Sequence, residues 1–173
     1  VEPVNDSDPL FKDPVVIGIW SEGDYPANIV VADFNKDSHM DFILTFYGGI
    51  DCELYTGKGK NDNGEFEFER SVLIDTADLY SMGADGADFN KDGYADFVVA
   101  PYNYYQPEQY FYVNLGQEPI IEQGQERVTF ITTEFKSQDN VRYGGVTAAD
   151  VNGDEIADLV ATRYGAIDIY YGF

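Results

Sequence analysis

The chain has one cysteine, Cys52, and one histidine, His39, among its 173 residues. A single cysteine cannot form an intrachain disulfide, and such sparing use fits a cytosolic protein or a bacterial or archaeal exported one. Cys52 has no basic neighbour in sequence to lower its pKa, so it reads as a small strand residue rather than a nucleophile. Any catalytic triad or histidine-based metal site would have to use His39. Basic residues are scarce as well: ten Lys and Arg face 32 Asp and Glu, a formal net charge of −22. That excludes a nucleic-acid-binding face, because phosphate contacts require positive charge. No apolar run reaches about 18 residues, so no membrane insertion is expected. Helical periodicity of useful length is absent, and Gly57-Lys58-Gly59-Lys60 lacks the strand-to-helix setting of a phosphate-binding loop.

What the chain does have is aromatic and glycine content. Fourteen Tyr, twelve Phe and seventeen Gly favour many short strands joined by tight turns. With 44% hydrophobic residues the chain can build a core and is not an acidic disordered tail. It opens with Val1-Glu2-Pro3 and no visible signal peptide, as expected of a mature or excised segment. Asn5-Asp6-Ser7 is a glycosylation sequon, a triplet that also arises by chance.

The acidic residues are not scattered. One pattern, Asp-x-Asn-x-Asp-x-x-x-Asp, occurs three times. Its members are Asp33, Asn35, Asp37 and Asp41; Asp88, Asn90, Asp92 and Asp96; and Asp150, Asn152, Asp154 and Asp158. The first Asp recurs after 55 and then 62 residues, in the range of one four-stranded unit with its loops. An apolar, β-prone run follows each loop, at 42–47, 97–100 and 159–162. A third strand is expected at 53–55, 110–113 and 167–171, with Gly57, Gly116 and Gly172 soon after. A fourth is expected at 66–74 and 128–135.

The third unit ends without a fourth strand, while residues 14–20 resemble the end of the first unit's fourth strand. The expectation is an all-β chain of propeller-type blades: three four-stranded antiparallel units, as a partial ring or one completed by oligomerisation. The single repeat domain, 1–173, divides into units at about 14–57 (with a neighbouring blade's last strand at 14–20), 66–116 and 128–173. Radial repetition of small sheets leaves few exposed edges.

The loop pattern suits Ca²⁺. Side chains at positions 1, 3 and 5 of a curled loop can converge, position 7 contributes its carbonyl, and position 9 closes the shell. Position 7 is accordingly free to vary, as His39, Tyr94 and Ile156. Three carboxylates and one amide favour Ca²⁺ over Zn²⁺ or Mg²⁺. Up to three Ca²⁺, each adding two positive charges, would bring the balance from −22 to −16 and relieve self-repulsion. An EF-hand is rejected, because its position 12 Glu is replaced by Leu44, Val99 and Ala161 in β-prone runs. One such segment reads equally well as a turn; three at identical offsets point to a shared ligand. Gly93 at position 6 eases the bend of the second loop, where Ser38 and Glu155 leave the first and third strained.

The segments Ala32-Asp33-Phe34-Asn35-Lys36-Asp37, Gly86-Ala87-Asp88-Phe89-Asn90-Lys91-Asp92-Gly93 and Ala149-Asp150-Val151-Asn152-Gly153-Asp154 resemble the FG-GAP repeats of integrin α-subunit propellers and the related VCBS-type repeats of bacterial secreted proteins. The resemblance runs from about Pro14 to the end. It implies a calcium-binding β-propeller, extracellular or at the cell surface, whose loops join the first and second strands of each blade. Proteins of this kind include adhesion receptors, lectins and non-catalytic companions of polysaccharide-degrading enzymes. The implied role is non-catalytic adhesion, assembly or ligand binding, with a lectin or an enzyme's propeller appendage as the alternative. Propellers have four to eight blades, so three units imply a fragment, an unusual assembly, or a ring shared by copies of the chain. Tyr102, Tyr104 and Tyr105 stand in a tyrosine-rich stretch that either grips a glycan or protein ligand or packs between units.

Overall fold

In a computed structural model of the protein, residues 16–17, 25–47, 52–74, 80–102, 110–122, 125–136 and 143–173 are described. Among them there is no helix, and thirteen strands form four antiparallel sheets. The first sheet is an up-and-down meander of β1 (Tyr25–Ala32), β2 (Asp41–Tyr47), β3 (Cys52–Lys60) and β4 (Phe66–Ile74). The second repeats it with β5 (Tyr80–Ala87), β6 (Asp96–Tyr102), β7 (Tyr110–Gly116) and β10 (Phe130–Lys136). A small hairpin of β8 (Ile120–Glu122) and β9 (Gln125–Arg127) is inserted before β10, which accounts for the longer second repeat interval. The third sheet holds β11 (Tyr143–Ala149), β12 (Asp158–Arg163) and β13 (Ala166–Tyr170).

Two sheets therefore have the four expected strands and the third has three. The described residues do not close into a ring. Of the expected extra strand at 14–20, only Val16 and Ile17 are described, both exposed and outside any strand. Tyr102 ends β6; its side chain, with Tyr104 and Tyr105, lies outside the described residues.

The second strands of the first two sheets read as continuous apolar runs because both their faces are covered. Side chains alternate between faces along a strand, so each sheet has two apolar surfaces. One face of the first sheet, with Ile43 and Leu54 paired across strands, packs on Phe97 and Val99 of the second. The opposite face of the second sheet, with Val98, Ala100 and Phe111, packs on Leu159 and Ala161 of the third. The first strands also come together, β1 beside β5 and β5 beside β11. Glycine is required at the second of these approaches: a Cβ on Gly83 would lie 2.5 Å from the Val146 nitrogen. Asp85 ties the same two strands, its Oδ2 accepting hydrogen bonds from the Ala148 N–H and the Thr147 hydroxyl.

Candidate metal loops

Each Asp/Asn segment is the turn between the first and second strands of its sheet, and the three turns are wired alike. The first Asp accepts backbone N–H groups on both oxygens: Asp37 and Ser38 donate to Asp33 at 3.0 and 2.9 Å, and Asp92 and Gly93 donate to Asp88 at 3.1 and 2.8 Å. Asp154 and Glu155 donate to Asp150 at 3.2 and 2.9 Å. The Oδ1 of Asn35, Asn90 and Asn152 accepts the N–H two residues on, and the amide Nδ2 donates to Oδ2 of Asp37, Asp92 and Asp154 at 2.9, 2.8 and 2.8 Å. The fifth-position carboxylate in turn accepts the N–H of His39, Tyr94 or Ile156. Short polar side chains can do this because they reach backbone groups one or two residues away.

The curl puts positions 4 and 6 of every loop in the left-handed region. Lys36, Lys91 and Gly153 have φ of 60°, 58° and 83°, and Ser38, Gly93 and Glu155 have φ of 70°, 83° and 65°. The bend expected at position 6 is present, with Ser38 and Glu155 holding a conformation that costs a non-glycine residue about 1–2 kcal/mol. The second left-handed residue at position 4 carries no sequence signal in the first two loops, where it is lysine.

The ninth position behaves differently from the others. Asp41, Asp96 and Asp158 are fully buried at the start of the second strand. One oxygen accepts the N–H of the second loop residue, from Phe34, Phe89 and Val151 at 2.9, 2.7 and 3.0 Å. The other accepts the N–H of Gly57, Gly116 and Gly172, at 2.8, 2.8 and 2.9 Å. These glycines lie at or just beyond the third strand, and each must be glycine for a steric reason. A Cβ there would sit 2.5, 2.3 or 2.6 Å from the carbonyl oxygen of Met40, Ala95 or Ala157. The buried carboxylate thus clasps its own loop to the neighbouring third strand.

Charge follows burial. Burial raises the Asp41 and Asp96 carboxyls above their ordinary range; the two N–H donors work against it, and the neighbouring loop carboxylates add to it. At Asp37 burial pushes upward, but the Asn35 amide and the His39 N–H together leave the carboxyl lowered. Asp150 is lowered by the N–H groups of Glu155 and Gly153. His39 is exposed and lies 3.2 Å from Asp37 through Nδ1.

The donor set fits a hard cation. It is all oxygen, and each carboxylate oxygen that already accepts a backbone N–H keeps a further lone pair. Among the described residues no three Asp, Glu, His or Cys side chains converge as a ready-made cage. The asparagine amide hydrogens meanwhile supply the positive partner of the fifth-position carboxylate. The first loop has two features that its sequence did not announce. Lys36 Nζ stands 3.4 Å from the centre of the Tyr94 ring, joining the first two loops. Glu126 of the inserted hairpin accepts a hydrogen bond from Asn35 at 3.2 Å. Beside it a polar groove of about 420 Å³ is lined by Asn35, Thr56, Lys58, Glu69, Glu126 and Arg127.

No protein-family model matches this chain, and no curated protein is similar enough to stand as a relative. No helix among the described residues is long and apolar enough to cross a membrane.

Proposed function

We propose that this chain is an extracellular, calcium-stabilised, β-propeller-type module of the FG-GAP or VCBS kind, serving adhesion, assembly or ligand binding without catalysis. The observation that carries the reading is the identical wiring of three all-oxygen loops at equivalent turns of three sheets. Asp33, Asn35, Asp37, Asp41 and the His39 carbonyl would hold one cation. Asp88, Asn90, Asp92, Asp96 and the Tyr94 carbonyl would hold a second, and Asp150, Asn152, Asp154, Asp158 and the Ile156 carbonyl a third. A bound Ca²⁺ supplies positive charge to loops whose outer carboxylates help raise the buried Asp41 and Asp96, and adds no reactive chemistry. The approach of β1 to β5 and of β5 to β11 supports the radial arrangement of blades.

Chelation tests the cation. With calcium at 10–100 times its dissociation constant, each occupied loop contributes about 1.4–2.7 kcal/mol. In a domain of this size ~1 kcal/mol moves the melting midpoint by about 2–4 °C. Removing calcium from all three loops is expected to lower the midpoint by roughly 10 °C or more, with magnesium a poor replacement. A midpoint unchanged by chelator in calorimetry would sink the reading.

A second reading, a lectin or the propeller appendage of a secreted polysaccharide-degrading enzyme, draws on the polar groove beside the first loop. Its amide, hydroxyl and charged groups suit a hydroxyl-rich ligand. Binding on a glycan array that is lost in Lys58→Ala and Arg127→Ala would favour it over a protein partner.

A further inference from the structure

Three consecutive residues of the first loop reach the second sheet. Phe34 is fully buried against Phe97 and Phe130. Lys36 holds its ammonium over the Tyr94 ring. Between them Asn35, only 6% exposed, makes two bonds through its amide nitrogen. Nδ2 donates to Asp37 within the loop at 2.9 Å and to Glu126 at 3.2 Å. Glu126 is 91 residues further along the chain, in β9 of the inserted hairpin.

These bonds fix the orientation of the amide. Turned over, it would set its oxygen against two carboxylates. Oδ1 is therefore kept on the side of the Asp37 N–H, which it accepts at 3.2 Å, with a lone pair left for a cation. An outer hydrogen-bond partner of this kind orients a metal ligand and strengthens it as a donor. A carboxylate partner also places negative charge near the ion. The bond matters equally to the hairpin. All described residues of β8 and β9 are exposed, so the hairpin has no apolar core of its own, and a lone two-stranded ribbon is marginal in water. Its base is fixed by the Gln117 N–H donating to the Thr129 carbonyl at 3.1 Å and by Val128, buried between the first two sheets. Glu126 ties it to the first loop. Glu122, Gln125, Glu126 and Arg127 of this hairpin form one wall of the polar groove that Asn35 also lines.

We propose that Glu126 is a positioning residue for the first cation site, and that a cation held in this loop in turn fixes the hairpin wall of the groove. The coupling is reciprocal by linkage: binding energy that the ion gains through the Asn35–Glu126 bond returns as stability of the hairpin once the ion is bound. The groove is then fully shaped only in calcium, which makes binding of any ligand there depend on the ion. The proposal rests on the functional reading above for the presence of the cation. It goes further by assigning a residue outside the loop to the site and by linking the site to the groove.

The test is titration calorimetry with calcium on the full chain carrying D92A/D154A, which takes one carboxylate from each of the second and third loops and leaves the first intact. In this background E126A is expected to weaken calcium binding about 10-fold or more, and E126Q, which keeps an acceptor for Asn35 without the charge, by less. The E126Q loss should be larger for trivalent terbium than for calcium, a dependence on ion charge that a merely structural role would not produce. In a D37A background, where the first loop is the damaged one, E126A should leave calcium binding at the other two within about twofold. Hydrogen exchange reads the reciprocal effect: calcium should protect the β8 and β9 amides in the parent and not in E126A. Glu126 is exposed, so E126A should melt in chelator as the parent does, and E126Q serves alone if it does not. A parent that binds no calcium would overturn the functional reading and this proposal with it. Three results would overturn this proposal alone: E126A binding calcium within about twofold of the D92A/D154A protein, an equal loss in both backgrounds, or hairpin exchange that ignores calcium.

Discussion

Asp96→Ala is expected to destabilise the protein by about 3–5 kcal/mol in the presence of chelator, where no cation contributes. Asp96 is fully buried, and its two oxygens are the acceptors for the Phe89 and Gly116 N–H groups. Among the described residues every buried side-chain polar atom has a partner, so the environment holds no obvious substitute. Alanine would strand both donors, each costing about 1–3 kcal/mol, more when the lost acceptor was charged. An opposing effect exists. Burial holds the Asp96 carboxyl above its usual value of 3.8, so keeping it ionised works against folding. By linkage that penalty is absent below 3.8 and grows as pH rises through the folded pKa. The stranded donors outweigh it, because the N–H groups cannot leave the site while the carboxylate's penalty is partly offset by the two bonds it accepts. Asp96→Asn keeps one acceptor and turns an amide N–H₂ toward the other donor, so it should fall between parent and alanine. Asp92→Ala, at an exposed position of the same loop, should change stability by less than about 1 kcal/mol in chelator. Urea unfolding measures all three. An Asp96→Ala variant within about 1 kcal/mol of the parent would remove the clasp from the account of this fold.

Phe97→Ala is expected to cost about 3–5 kcal/mol, a large share of the 5–15 kcal/mol typical of a whole domain. Phe97 follows the clasp residue directly and is fully buried between two sheets. Its ring meets Phe34 edge-on at 6.4 Å and Phe130 at 5.0 Å, and Phe34 and Phe130 meet at 5.7 Å. Truncation removes the ring's transfer energy, leaves a cavity between the two sheets, and deletes two aromatic pairs worth about 0.5–1.5 kcal/mol each. Phe97→Leu should lose less, about 1–1.5 kcal/mol, because it restores most of the volume. Hydrogen exchange gives a second check: protection should fall more in the first sheet, which rests on this ring, than in β12. A loss below about 1.5 kcal/mol for the alanine variant, or uniform changes in exchange, would show that the sheets do not depend on this contact.

The three turns were legible in the sequence because their causes are local. An Asx side chain bonds to backbone one or two residues away whatever the rest of the chain does, so three Asp-x-Asn-x-Asp segments mark three turns. The apolar runs after them mark central strands, since a strand covered on both faces has no polar side to show. The chain's own pattern also determined the all-β class and the shortage of a fourth strand in the third unit.

Tertiary structure decided what those residues do. Asp41, Asp96 and Asp158 look like the other loop carboxylates in sequence, yet they turn inward as clasps because the second strand carries them under the sheet surface. Gly57, Gly116 and Gly172 were visible as a recurrence, but their reason is a carbonyl from a loop some fifteen to twenty residues away. The hairpin that brings Glu126 to Asn35 could not be placed from residues 120–127, whose short strands have no apolar alternation. Nor could the sequence tell how deeply each face is covered. Ile43, Val98 and Val160 are equivalent β-prone residues, yet the first two are fully buried between sheets while Val160 is half-buried. Local bonding rules write turns and strands into a chain; burial and the contacts between sheets are properties of the packed whole.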